Sequence, residues 1–70
     1  MSFSNYMCEE ATREGPKGTR SLLCTLGAKD ELGHHEFRWF VELPTGPRYE
    51  FNSERAARRS RAWVKGEEQA

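Results

Sequence analysis

From Glu36 to Leu43 apolar and polar positions alternate. Phe37, Trp39, Val41 and Leu43 share one face, and Arg38, Phe40 and Glu42 share the other. A period of two marks a half-buried strand. Ser21 to Ala28 is a second strand, with Leu22, Cys24 and Leu26 on one side, and Arg48 to Phe51 is a short third one. Lys29 to Gly33 reads as a turn in which Gly33 can take a left-handed conformation. Pro44-Thr45-Gly46-Pro47 breaks the chain before the third strand.

After Phe51 the period changes. Ser53 stands where a helix N-cap belongs, and Gly66 stands where a C′ glycine ends a helix. Between them Ala56, Ala57, Ser60, Trp63 and Val64 fall on one side of a 3.6-residue wheel. Arg55, Arg58, Arg59, Arg61 and Lys65 fall on the other. The pattern predicts a single helix with one face to bury and a basic face to present.

These elements specify an α+β fold: a three-stranded antiparallel sheet with one C-terminal helix packed on one face, in the order β-β-β-α. Residues 1–20 are expected to be irregular or to add a short extra strand. Phe3, Tyr6 and Met7 could dock on the core there, and Thr12 to Arg20, with Gly15-Pro16 and Gly18, reads as loop. For the last hairpin, pairing Pro44 with Arg48 puts Tyr49 and Phe51 on the face of Val41 and Leu43. The expected core is Leu22, Leu26, Trp39, Val41, Phe51, Trp63 and Val64. Residues 66–70 are expected to fray.

Length then bounds function. Seventy residues make one small domain, which buries only about 60% of its unfolded surface. A deep catalytic pocket would hollow out most of such a core. Acidic and basic residues balance at 11 each, but they are segregated. Residues 36–65 carry seven basic and four acidic side chains, while the first 35 residues sum to −1 and the last five to −2. A local basic patch therefore survives an overall neutral charge. No leader-like or membrane-spanning apolar run is visible. The chain reads as a complete cytoplasmic gene product with reduced thiols and no structural disulfide.

Specific chemistry is hard to assemble from these residues. Cys8, Cys24, His34 and His35 lack the closely paired spacing of zinc modules: the cysteines lie 16 positions apart. Glu9-Glu10 and Asp30-Glu31 sit in no acid–base motif, and no nucleophile elbow occurs. Gly15-Pro16-Lys17-Gly18-Thr19 departs from phosphate-loop spacing. The expectation is a protein with no catalytic residue, metal or cofactor. Its candidate partner-binding residues are Arg55, Arg58, Arg59, Arg61 and Lys65 on the helix, with Arg38 and Phe40 on the sheet. Arginine forks onto carboxylates and phosphates alike, and an uncovered Phe40 beside Arg38 would make an anchoring spot.

The stretch FRWFVELPTGPRYEFNSERAARRSRAWV, residues 37–64, resembles the three-stranded DNA-binding domains of lambda-type integrases and plant ethylene-response factors. In those domains the open sheet face enters the DNA major groove. The resemblance implies that Arg38 and Arg48 would face DNA, together with Glu36, Glu42 and Glu50. The strands followed by an Ala-rich helix are also similar to part of a double-stranded-RNA-binding domain. In size and style the chain resembles the small antagonist proteins of bacteriophages, which cover a functional surface of a host protein. The leading expectation is accordingly a non-enzymatic accessory or inhibitory module of phage or mobile-element type, docking on a protein. Nucleic-acid binding through the Arg-rich helix is the alternative, and no membrane is involved.

Overall fold

The computed structural model describes residues 9–69. It is an α+β fold in which one antiparallel sheet carries two short helices. The strands are β1 (Ala11–Gly15), β2 (Gly18–Lys29), β3 (His35–Glu42) and β4 (Arg48–Phe51), arranged in sequence order as a four-stranded meander. The helices are α1 (Glu54–Arg59) and α2 (Arg61–Val64). The proposed contacts of Phe3, Tyr6 and Met7 lie outside the described residues.

The sheet has four strands rather than three: residues 1–20 supply the short extra strand, β1, although it falls in the segment from Thr12 read as loop. Its residues, Ala-Thr-Arg-Glu-Gly, contain no large apolar side chain to reveal a period of two. The backbone ladder holds the strand instead, from Ala11 opposite Leu22 to Gly15 opposite Gly18. Pro16 and Lys17 make the turn between them, and Gly18 takes φ 127° against Pro44, where a Cβ would come within 2.9 Å. In the next turn Asp30 accepts the backbone N–H of both Leu32 and His34 on Oδ1, and Gly33 takes the expected positive φ.

The faces of the last hairpin are as expected, but its register is shifted by two residues. Val41 opposes Tyr49 and Trp39 opposes Phe51. The loop is therefore longer, closed by hydrogen bonds from Leu43 N to Pro47 O and from Gly46 N to Leu43 O. A shift of two preserves which side chains face the core.

The single long helix is corrected to two pieces. Ser60, with ψ 153°, leaves the helical conformation. Its Oγ donates to Ala57 O at 2.7 Å and accepts from Trp63 N at 3.1 Å, so it closes one helix and caps the next. The predicted outer caps are in place. Ser53 Oγ accepts from Ala56 N, and Gly66, at φ 70°, donates to Ala62 O.

The core comprises Leu22, Cys24, Trp39, Val41, Leu43, Ala57, Ala62 and Trp63, with Ala11, Phe37, Tyr49 and Phe51 packed against it. Two expected core residues are outside it. Val64 is 48% exposed, because the break at Ser60 rotates Ala62 and Trp63 inward in its place. Leu26 is 53% exposed. Helices of six and four residues are only about 9 and 6 Å long, whereas β2 runs for 12 residues, about 40 Å. The helices cannot roof the end of the sheet where Leu26 pairs with Phe37.

The thiol reading is also corrected: Cys24 is disulfide-bonded. The chain's other cysteine, Cys8, lies outside the described residues. A domain of this size gains from such a cross-link because its core alone supplies little surplus stability. The tail is tied back as well. Gln69 donates from its backbone N–H to the Tyr49 hydroxyl and accepts from Ala62 N.

Candidate binding surfaces

The break at Ser60 redistributes the cations expected on one helix face. On α1, Ala57 is buried against the sheet, which directs Arg55 and Arg59 outward. They stand four residues apart, hence one above the other. Both are exposed, and neither has a carboxylate partner among the described residues. Arg58 differs. It is half-buried, and its Nε lies 2.8 Å from Glu54 Oε2 one turn earlier. Arg61 begins α2 and pairs with Glu67 at 3.4 Å. Lys65 is the exposed C-cap of α2. The free positive charge on the helices is therefore narrower than the composition suggests: Arg55 and Arg59 together, and Lys65 apart from them.

The sheet face away from the helices carries Arg38, Phe40, Glu42, Arg48 and Glu50. Register places Leu23, Phe40 and Glu50 in one row across β2, β3 and β4. Phe40 is half-buried, with the Arg48 guanidinium 4.3 Å above its ring, a cation–π contact. Arg38 Nε lies 3.7 Å from Glu50 Oε2. Both arginines of this face are thus engaged within it, among Glu36, Glu42 and Glu50. Arg38 is bound to the neighbouring strand, and a different arginine stacks on the ring. This face thus carries three carboxylates against two arginines.

Arg20 is the residue that sequence reading missed. It is 9% exposed. Nε donates to Trp63 O at 2.7 Å and Nη2 to Val64 O at 3.3 Å, and the guanidinium also lies 5.9 Å from the Trp63 ring. Arg13, opposite Arg20 on β1, stacks at 4.9 Å on the same ring. A cation placed on the carbonyl end of a helix is favourable, because those carbonyls lack intrahelical donors. The signal was present in the sequence. Arg20 shares its parity with Leu22 and Cys24, and a cation on an apolar strand face must find acceptors.

Among the described residues no group of three or more His, Cys, Asp or Glu side chains converges on a metal-sized space, and no helix is long and apolar enough to cross a membrane. With Cys24 held in a disulfide, its thiolate is removed from the zinc ligand set considered above. Compared with models of known families, with curated proteins and with solved structures, the chain matches none of them.

Proposed function

We propose that this protein is a non-enzymatic binding module that docks through α1 on an acidic surface of another protein. The observation that carries the reading is the pair Arg55 and Arg59. Both are exposed, aligned four residues apart and free of carboxylate partners among the described residues. Their helix is fixed to the sheet by Ala57 and capped by Ser53, so two cations are presented on a rigid element rather than on a loop. Preorganisation lowers the entropy lost when such side chains engage carboxylates. The acidic groups on the sheet face favour a protein over nucleic acid, because a duplex would have to be held by the short helix alone. The disulfide at Cys24 favours an oxidising compartment over the reducing cytoplasm.

The test is a double charge reversal, Arg55→Glu with Arg59→Glu, measured against an oligoglutamate peptide and a short DNA duplex at two salt concentrations. Melting should be unchanged, because both side chains leave the core. Affinity for the acidic peptide should fall by about tenfold or more, as attraction becomes repulsion. Retained peptide binding by the variant, or tighter duplex binding with a steep salt dependence, would refute the protein-docking reading.

A further inference from the structure

A cleft of about 460 Å³ lies between the β1–β2 turn, the β3–β4 turn and the segment that follows α2. Arg20 forms part of its lining. Two of the three guanidinium nitrogens are turned to the helix carbonyls. The third, Nη1, has no hydrogen-bond partner among the described residues. Among the described residues no side-chain nitrogen or oxygen that is sealed from solvent lacks a partner, so Nη1 is not sealed.

Two glycines flank that nitrogen. A Cβ at Gly66 would stand 2.8 Å from Nη1, and one at Gly15 would stand 3.1 Å from it. Gly66 is required by its backbone as well, at φ 70°. Gly15 is not among the residues of positive φ, so its backbone tolerates any side chain. What a side chain there would remove is the space beside the guanidinium. Charge adds a third observation. The cleft is lined by Lys17, Arg20 and Lys65 against Glu67 and Glu68, and Glu67 is already paired with Arg61, so its charge favours an anion. The adjacent glutamates repel a doubly charged phosphate more strongly than a singly charged carboxylate. Pro16 and Pro44 supply apolar wall.

We propose that this cleft binds an organic carboxylate, with one carboxylate oxygen accepting from Arg20 Nη1. The exposed Lys17 and Lys65 share its charge at the rim, and its apolar body rests against Pro16 and Pro44. The guanidinium is already held by Trp63 O and Val64 O, so little side-chain freedom is lost on binding. Its partial burial strengthens a charge-assisted hydrogen bond. This site is separate from Arg55 and Arg59, and it stands whether or not α1 docks on a protein.

The probes are benzoate, N-acetylglycine, benzamide and inorganic phosphate, titrated into the full chain while amide resonances are followed by NMR. Benzoate, N-acetylglycine or both should give saturable shifts at the Gly15, Gly18 and Gly66 amides, and benzamide should not. Tighter binding of benzoate assigns the site to free acids, and tighter binding of N-acetylglycine assigns it to peptide C-termini. Gly15→Ala should weaken carboxylate binding by about tenfold or more with near-native melting. Lys17→Glu, on the exposed turn, should weaken it independently if Gly15→Ala perturbs the fold. Arg55→Glu with Arg59→Glu should leave it unchanged. Absence of saturation, equal shifts with benzamide, tighter binding of phosphate, or undiminished binding by Lys17→Glu would overturn the proposal.

Discussion

Replacing Arg20 with methionine deletes the guanidinium and keeps an unbranched stem to fill the same space. The wild-type side chain makes a short hydrogen bond to Trp63 O at 2.7 Å and a longer one to Val64 O at 3.3 Å. Hydrogen bonds from a charged donor contribute about 1.5–3 kcal/mol each, and the longer one belongs at the bottom of that range. The contact with the Trp63 ring, 5.9 Å from its centroid, is at the edge of useful cation–π distance and adds little. Against these stands the desolvation of a nearly buried cation, which the methionine side chain does not suffer. The net loss should be about 2–4 kcal/mol. For a domain of this size, 1 kcal/mol shifts the melting temperature by about 4–8 °C, so melting should fall by at least about 8 °C. Urea titration followed by tryptophan fluorescence reads both sides of the seam, through Trp39 in the sheet and Trp63 on α2. Arg13→Met is the control: Arg13 is exposed and touches the same ring at 4.9 Å, and its loss should cost about 1 kcal/mol or less. An Arg20→Met variant within about 1 kcal/mol of wild type would refute the reasoning and show that water serves the α2 carbonyls as well as Arg20 does.

Ser60→Ala removes both the donor to Ala57 O and the acceptor of Trp63 N. It should cost about 1–2 kcal/mol by chemical denaturation, and an unchanged midpoint would show that the break between the helices does not depend on this hydroxyl. Thiol titration of the native protein should find no free thiol, and reductant should lower its melting temperature. A full complement of reactive thiols in the untreated protein would refute the disulfide.

The legible parts of this fold were those written in large apolar side chains. The run from Phe37 to Leu43 announced β3 and its buried face, and Ser53 and Gly66 marked the outer ends of the helical region because each has a local chemical reason to be there. The obscure parts were set by groups that periodicity does not weigh. β1 is polar and small, and it exists because β2 offers a backbone ladder. Ser60 looked like one more residue on a helical wheel, whereas its hydroxyl competes for the backbone and resets the phase, burying Ala62 and exposing Val64. The basic face was legible as composition only. Which arginines stay free depends on Glu54 and Glu67, and these pairings arise in three dimensions. Arg20 went unread because it was assigned to a loop, although its parity with Leu22 and Cys24 placed it on the inner face.

The meander also bears on how quickly the molecule assembles and comes apart. Every strand pairs with its neighbour in the sequence, so the sheet grows from local hairpins with short loops to close, a topology that favours rapid folding. The contact of Arg20 with Trp63 spans 43 residues, far more than any hairpin of the sheet, and carries a correspondingly larger loop-closure cost. It should form after the rate-limiting barrier. Arg20→Met should therefore leave the folding limb of a chevron nearly unmoved and raise the unfolding limb. The clasp between β2 and α2 then acts as a latch on the lifetime of the native state, and a slowed folding limb would show instead that it belongs to the nucleus.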